Sequence, residues 1–386
     1  MNKLKKIAHI CFYIALTIEL ILVVLERSVY IIQYSGQWFR LTFALFLFKL
    51  ILTKYTRREM IAIAGAVLLG VISYLCTGAN EVIRFVIMVA ACKNINYDRM
   101  FKWIFAVWAI GFGICILLSF FGVGIFKIST DFRGMGIETR YALGLGHPNT
   151  LHGMVWLTIT ALLYAIGEQI KIWQLIIVMG LNAGLFWITT SRTAFILITL
   201  QLILTFLAIK YKGVYESKMF VYGFAGLLVL GFVFTCFVMY PPLYYPYHHM
   251  IDSKISGRIM ATYFIAPECR LWEMLPFATF GREPESDLGI AKMIAWFGYI
   301  PTLFYIFMNF KVCNAMRRNK DYLGVAILTV FFVSSITESH IVNFYLATNI
   351  VVFLFGKYWT DILDDKKEDT FLWDVIRRGD WLSNNV

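Results

Sequence analysis

The chain has 386 residues, of which 60% are hydrophobic and only 15% charged, and its formal net charge is +11. The mean hydropathy of +0.70 excludes an ordinary soluble enzyme, because apolar residues make up only about half of a typical soluble domain. Most lysines lie in short loops, where topology and anionic lipid account for them better than a nucleic-acid partner does. The seven cysteines are scattered singly, and no pair has the spacing of metal ligands.

Apolar runs recur along the whole chain, and a helix needs about 20 largely apolar residues to cross a bilayer. These runs predict an all-α polytopic membrane protein with about 12 transmembrane helices and one large extracytoplasmic loop. The predicted spans are 8–26, 38–53, 60–76, 82–93, 101–127, 148–167, 172–188, 193–209, 219–240, 290–310, 321–337 and 341–356. The span 82–93 is short and contains Arg84, and a charge at that depth is usually paired or functional.

The distribution of charge predicts the orientation of the chain in the plasma (inner) membrane. With both termini in the cytoplasm, most lysines fall on the inner side, as the positive-inside rule requires. Residues 1–356 are then a single transmembrane domain. Residues 357–386, which mix charges with aromatic side chains, are predicted to be an amphipathic cytoplasmic tail on the inner leaflet.

Arginine is enriched on the predicted outer side. That side has only three lysines (Lys127, Lys254 and Lys292) but nine arginines: Arg27, Arg40, Arg84, Arg133, Arg140, Arg192, Arg258, Arg270 and Arg282. A guanidinium stays charged and pairs bidentately with phosphate, so this bias predicts a phosphorylated or acidic ligand. For any single arginine, the alternative is an ordinary solvated loop residue.

The outer loop 128–147 leads into the sixth span through the sequence GLGHPNT. Its glycines allow close approach of the backbone to a ligand, and Pro148 marks the start of a helix. Helix N-termini attract anions, so four residues around this start are predicted to bind substrate phosphate: Arg133, Arg140, His147 and Asn149. The alternative is a flexible Gly-rich connector.

The sequence TTSRT, at residues 189–193, leaves almost no loop between the seventh and eighth spans. Arg192 must therefore face either lipid headgroups or a protein cavity. We predict that it binds substrate, and the alternative is that it snorkels to lipid phosphate.

The outer loop 241–289 is far longer than a usual connection, which predicts short helices and a function of its own. Its arginines include Arg258, Arg270 and Arg282, and Asp287 stands just before the next span. Asp287 is predicted to be a general base at the membrane surface, although a helix cap is an equally good reading. His340 is a second candidate base, because its ordinary pKa suits proton transfer near neutral pH.

The order of these motifs resembles the bacterial Wzy-type polysaccharide polymerases, whose relatives are the O-antigen ligases. The shared features are an Arg-containing outer loop before GLGHPN, then TSRT after the seventh span, a long late loop with SGR, and an acidic residue before a span with FGYIP. The resemblance runs from about Arg133 to Gly356 and implies a GT-C-like membrane glycosyltransferase.

The resemblance implies an enzyme that joins polyprenyl-diphosphate-linked oligosaccharide repeats into capsule, exopolysaccharide or O-antigen at the outer face, with no cofactor. The implied partners are the lipid-linked oligosaccharide, membrane lipids, and the chain-length regulator and flippase of the same pathway. The loop 241–289 resembles the catalytic loop of the family, and Asp287 stands where related ligases place a His. Arg258, Asp287 and His340 are the predicted catalytic residues, and the predicted substrate-binding residues are Arg133, Arg140, His147, Asn149, Arg192, Arg270 and Arg282.

The chemistry of the reaction agrees with this residue set. A glycosyl diphosphate needs cations at the departing diphosphate and a group that deprotonates the acceptor hydroxyl. Arginines can supply the first without a metal, and only Glu283, Glu285 and Asp287 form even a loose acidic group, so the sequence predicts a metal-independent transferase. A secondary transporter or a lipid-linked oligosaccharide flippase is the alternative; a transporter often has ionisable residues at the midplane and a flippase needs a polar central cavity.

Overall fold

The computed structural model describes residues 3–28, 35–131, 137–240, 249–252, 257–265, 276–278, 286–339, 349–363 and 370–371, and these ranges are mostly helical. The helices are α1 (Lys3–Arg27), α2 (Ser35–Ile51), α3 (Arg57–Thr77), α4 (Glu81–Ala91), α5 (Tyr97–Phe120), α6 (Pro148–Ile166), α7 (Ile172–Thr189), α8 (Arg192–Lys210), α9 (Lys212–Glu216), α10 (Lys218–Val238), α11 (His249–Asp252), α12 (Arg258–Ile265), α13 (Gly289–Phe297), α14 (Tyr299–Arg318), α15 (Tyr322–Ser335) and α16 (Val351–Leu363). The strands are β1 (Lys54–Tyr55), β2 (Lys127–Asp131), β3 (Ile137–Tyr141) and β4 (Thr370–Phe371).

Seven of these helices are long and apolar enough to cross a membrane: α1, α3, α5, α6, α7, α8 and α10. The all-α membrane class is thereby confirmed at this coarse level. The count of twelve spans stays a prediction. Helix α4 has 11 residues, and at about 1.5 Å per residue it is shorter than the hydrocarbon core.

The predicted span 101–127 ends early. Helix α5 stops at Phe120, and Gly122 and Gly124 then have φ values of +80° and +90°, in the left-handed region that favours glycine. The chain continues into β2, which pairs antiparallel with β3 and places Ile128 opposite Arg140. The loop 128–147, which the sequence predicts to face outward, therefore contains a β-hairpin, and the hairpin gives Arg140 a fixed place in the fold.

The predicted span 290–310 is divided into two helices, α13 and α14. Between them lies Gly298, with a φ of +91°, where a Cβ would stand 2.5 Å from the Cα of Phe277. All nine residues of α13 are buried. The break therefore lets another part of the chain pass close to the backbone, and it keeps α13 as a short helix directly after Asp287.

The end of the bundle where α6 ends and α15 begins is held by a polar cluster around Asp321. This residue caps α15 by accepting from Gly324 N at 2.8 Å, and its carboxylate also contacts Tyr164 (2.5 Å), Tyr358 (2.5 Å) and Lys357 (2.8 Å). The cluster ties the end of α6 to α15 and α16. The two-residue strand β4 in the C-terminal tail pairs with β1, which lies between α2 and α3. The sequence predicts that this tail and the loop containing β1 both face the cytoplasm.

Candidate active site

The short turn between α7 and α8 is the centre of the candidate site. Helix α7 ends at Thr189, Thr190 adopts the left-handed conformation with a φ of +49°, and α8 begins at Arg192 after Ser191. Two groups of polar side chains contact this turn. One group comes from the β-hairpin and the start of α6. The other comes from α12, from Asp287 before α13 and from Glu338 after α15, and it reaches the turn through the interaction of Glu338 with Thr193.

The first group places Arg140 against the turn. Its Nε donates to the carbonyl oxygen of Thr189 at 2.7 Å, and a terminal nitrogen of the guanidinium donates to Oδ1 of Asn149 at 2.7 Å. His147 caps α6, because its Nδ1 accepts from the backbone N–H of Asn149 at 3.1 Å. Three residues predicted from the sequence to bind substrate are thus brought together at one helix start.

The electrostatics of this group follow from partial burial. Burial lowers the pKa of the Arg140 guanidinium, and Glu138 opposes that change; an arginine nevertheless stays charged at neutral pH. Burial also lowers the pKa of His147, and the nearby charge of Arg140 lowers it further. His147 is therefore neutral near pH 7, and because Nδ1 accepts a hydrogen bond, its proton is on Nε2.

A buried polar network beneath Arg140 was not predicted from the sequence. His152, on α6, lies with Nδ1 3.0 Å from Oγ1 of Thr189 and with Nε2 2.9 Å from Oδ1 of Asn182. The amide nitrogen of Asn182 donates in turn to the carbonyl oxygen of Phe195 at 3.1 Å. These contacts join α6, α7 and α8, and they hold the carbonyl that Arg140 binds. The available signal was a histidine inside an apolar span, where polar side chains are usually paired or functional.

The position of Arg258 in the second group is set by the start of α12, of which Arg258 is the first residue. The Asp252 carboxylate accepts from the backbone N–H groups of Ile259 (2.7 Å) and Met260 (3.0 Å), so it caps this helix. The hydroxyls of Thr262 and Ser286 lie 2.8 Å apart. This contact holds α12 against the segment that leads into α13, and so places Arg258 and Asp287 beside each other.

Among the predicted site residues that the structure describes, Arg258 has the most polar contacts. It donates to the carbonyl oxygen of Thr337 and, at 2.7 Å, to Oε1 of Glu338, while its Nε is 3.8 Å from Oδ2 of Asp287. The side chains of Arg258 and Glu338 are 12% and 22% exposed, whereas that of Asp287 is 64% exposed. The predicted pair of Arg258 and Asp287 is therefore brought together, with Asp287 open to solvent.

Glu338 was missed as a site residue, although it stands two positions before the predicted His340. Burial raises the pKa of its carboxyl group, and the charge of Asp287 raises it further. Arg258 opposes this change, as does a hydrogen bond from the Thr193 hydroxyl. Since Thr193 is in the first turn of α8, this hydrogen bond joins the Arg258 group to the same turn that Arg140 contacts.

Among the other predicted site residues, Arg192 is exposed at the start of α8. Arg133, Arg270, Arg282 and His340 lie outside the described residues, as do Glu283 and Glu285. Within the described ranges, no group of three or more His, Cys, Asp or Glu side chains could hold a metal ion. The arrangement thus offers fixed cations beside carboxylates, which suits an anionic leaving group and a proton acceptor.

Comparison with known protein families, curated proteins and solved structures finds no match for this chain.

Proposed function

We propose that this chain is a metal-independent membrane glycosyltransferase, a polymerase that joins polyprenyl-diphosphate-linked oligosaccharide repeats into surface polysaccharide. In this proposal the site faces outward from the plasma membrane and both termini are cytoplasmic. The observation that carries it is that Arg140 contacts Thr189 at the turn before α8, while Arg258 pairs with Glu338, which interacts with Thr193 in the first turn of α8, and has Asp287 beside it. The order of sequence motifs, which resembles the Wzy-type polymerases, supports the same chemistry.

The two arginines are suited to neutralise the departing diphosphate. A guanidinium has five N–H donors, and the contacts of Arg140 with Thr189 and Asn149 leave some of them for a ligand. Fixed donors of this kind stabilise charge that develops in the transition state, and removing one typically costs about 10²- to 10³-fold in kcat. His147 adds a neutral N–H donor at the start of α6.

Asp287 is the proposed base because its carboxylate is exposed while it stays beside Arg258. The acceptor hydroxyl oxygen attacks the anomeric carbon of the donor sugar, and its proton passes to the Asp287 carboxylate. The bond between the anomeric carbon and the diphosphate oxygen breaks, and its electron pair leaves with the polyprenyl diphosphate. The products are the elongated oligosaccharide and the free polyprenyl diphosphate. One C–O bond replaces another, so the transfer needs no oxidant or reductant.

Glu338 acts in this scheme as a positioning residue. Its contact with Arg258 is 2.7 Å, against 3.8 Å for Asp287, so Glu338 fixes the guanidinium and leaves Asp287 available to the acceptor. The Glu338 side chain is 22% exposed and is engaged by Arg258, so it is less accessible to a sugar hydroxyl than that of Asp287, which is 64% exposed.

Deletion of the gene tests this function in cells. We expect lipid-linked single repeats to accumulate on the outer leaflet while long polymer disappears. Wild-type chain and a Lys212→Gln control, which changes an exposed pair remote from the site, should restore polymer, and Asp287→Asn should not. Accumulation of the same repeats on the inner leaflet would instead identify a flippase, and unchanged polymer would exclude both functions.

A further inference from the structure

A cleft between the starts of α1 and α5 combines two cations with an apolar wall. Its volume is about 540 Å³, and its lining includes Lys6, Ile10, Ile14, Arg99 and Trp103. Among the described residues, no carboxylate lines it. The Trp103 side chain is held against α1, because its Nε1 donates to Oγ1 of Thr17 at 2.8 Å. None of these residues belongs to the candidate active site, which therefore does not account for the cleft.

The cleft and the candidate active site are at opposite ends of α1. Lys6 is in the first turn of this helix, whereas the carbonyl oxygen of Arg27, at its end, accepts from the backbone N–H of Gly146 at 3.1 Å. His147 follows Gly146 directly at the start of α6. At about 1.5 Å per residue, Lys6 and Arg27 are about 30 Å apart along the helix. The cleft is thus remote from the candidate site, at the end of α1 that the sequence predicts to face the cytoplasm.

The two cations of the cleft are available to an anion. Both side chains are exposed, and in the described part of the chain neither Lys6 nor Arg99 has an ion-pair partner. The guanidinium offers five N–H donors in a planar fork and the ammonium offers three, so together they can surround a phosphate group. A single exposed cation near a helix start is usually just solvated; here two from different helices line one cleft.

The polarity of the cleft changes along both helices in the order found in a phospholipid. On α1, Lys6, Ile10 and Ile14 follow one another at intervals of four residues, and on α5 Trp103 follows Arg99 at the same interval, so each set shares one helix face. Each interval is about 6 Å, which places the apolar side chains about 6 to 12 Å deeper than the cations.

These deeper side chains line the cleft and remain accessible. Ile10 is 49% exposed, Ile14 is 47% exposed and Trp103 is 44% exposed. Tryptophan is enriched at the depth of lipid headgroups, and isoleucines below it suit an acyl chain. The order of cation, indole and isoleucine therefore matches the order of phosphate, glycerol and acyl chain.

We propose that this cleft binds an anionic phospholipid of the cytoplasmic leaflet. Lys6 and Arg99 bind its phosphate, and Ile10, Ile14 and Trp103 contact its glycerol backbone and the upper part of an acyl chain. Two cations with no carboxylate in the lining favour an anionic headgroup over a zwitterionic one. The site is additional to the active site and stands whether or not the chain is a polymerase.

Binding to the purified full-length chain in detergent tests the proposal with four probes: phosphatidylglycerol, phosphatidylcholine, diacylglycerol with the same chains, and glycerol 3-phosphate. Phosphatidylglycerol should bind most tightly, because it alone combines a net negative phosphate head with acyl chains. Diacylglycerol lacks the phosphate and glycerol 3-phosphate lacks the chains, so each should bind at least tenfold more weakly. Equal affinity for any of the other three probes would overturn the proposal.

Two substitutions test the cations. Lys6→Gln and Arg99→Gln should each weaken the binding of phosphatidylglycerol about fivefold, and together about thirtyfold, as expected for about 1 kcal/mol per cation near a lipid surface. Both side chains are exposed, so the variants should keep the wild-type unfolding curve. Lys218→Gln is the matched control, because it removes an exposed cation at the start of α10 and should leave the affinity unchanged. Unchanged affinity in the double variant, or an equal loss in the control, would refute a site built from Lys6 and Arg99.

A photoreactive phosphatidylglycerol locates the bound lipid. With a diazirine in one acyl chain, it should label α1 and α5 around Ile14 and Trp103, and an excess of ordinary phosphatidylglycerol should remove this labelling. Labelling confined to other helices, even with tight binding, would contradict the assignment of the lipid to this cleft.

Discussion

Arg258 and Glu338 form a partly buried ion pair, and a double-mutant cycle on this pair separates structural support from catalysis. The two side chains are 12% and 22% exposed and meet at 2.7 Å. Arg258→Gln leaves the Glu338 carboxylate without its cation, which we expect to reduce the free energy of unfolding by about 3 kcal/mol, the low end for breaking a buried pair. The contact with Asp287 adds little, because that side chain is 64% exposed.

Glu338→Gln should cost less, about 1 kcal/mol, because Arg258 keeps Thr337 and Asp287 as partners. The double variant has no unpaired charge, so we expect it to lose only about 1 kcal/mol, which corresponds to a coupling of about 3 kcal/mol. Denaturant unfolding of the detergent-solubilised protein measures these values. Lys212→Gln is the matched control, since its pair with Glu168 is exposed and contributes about 0–1 kcal/mol.

The loss in the free energy of unfolding caused by Arg258→Gln should depend on pH, and the direction follows from the pKa of Glu338. Burial raises the pKa of Glu338, and a raised carboxyl pKa means that the ionised form is the one that destabilises the fold. The stability associated with neutral Glu338 is present below its unfolded pKa and is lost as pH rises through its folded pKa. The penalty of Arg258→Gln should therefore be largest near neutral pH and shrink as pH falls, because protonated Glu338 needs no cation.

Activity distinguishes the two roles of Arg258. If Arg258 contacts the departing diphosphate, Arg258→Gln lowers kcat about 10²- to 10³-fold, and the double variant regains stability but stays equally inactive. Recovery of both stability and activity in the double variant would refute a direct role for Arg258, because it would mean that the residue serves only to compensate Glu338.

Three further predictions concern single residues. Asp287→Asn should lower transfer about 10²-fold, the usual contribution of a general base, with an unchanged unfolding curve because the side chain is mostly exposed; a near-normal rate in a reconstituted assay would exclude the role. Arg140→Lys should keep only part of the activity that Arg140→Ala abolishes, because a lysine lacks the planar fork that reaches both Thr189 and Asn149; full activity of the Lys variant would show that charge alone suffices. Asp321→Asn should reduce the free energy of unfolding by about 3 kcal/mol, since it leaves Lys357 without its carboxylate, while the activity per folded molecule stays normal because Asp321 and the site are at opposite ends of α15. Loss of activity at full folding would contradict that separation.

The sequence predicted the helices better than their interruptions. Apolar runs indicated most helices of the bundle, because a helix that crosses the hydrocarbon core is predominantly apolar along its length. The break at Gly298 was not predicted, since the positive φ and the close backbone of Phe277 and Ala278, which exclude a side chain there, are not visible in the sequence. Similarly, the apolar residues on both sides of Gly122 and Gly124 led to a predicted span that continues to residue 127. In the structure α5 ends at Phe120, and these glycines precede the β-hairpin.

The candidate site was predicted in part for a comparable reason. The predicted topology places an excess of arginine on one side, so Arg140 and Arg258 could be named from the sequence. Glu338 and His152 were not named. A histidine inside an apolar span was a signal for His152, but the partners of both residues are far apart in the chain: Glu338 contacts Arg258, and His152 contacts Asn182. Single-sequence patterns carry no information on such pairings.

Chain elongation by the purified protein is the most direct measurement of the central claim. The protein is reconstituted in vesicles with a polyprenyl-diphosphate-linked repeat unit, in the presence of excess chelator. We predict a ladder of longer lipid-linked products, with one polyprenyl diphosphate released for each bond formed, and no ladder from Asp287→Asn. Movement of the intact repeat unit across the bilayer without any elongation or release of polyprenyl diphosphate would contradict the proposed polymerase.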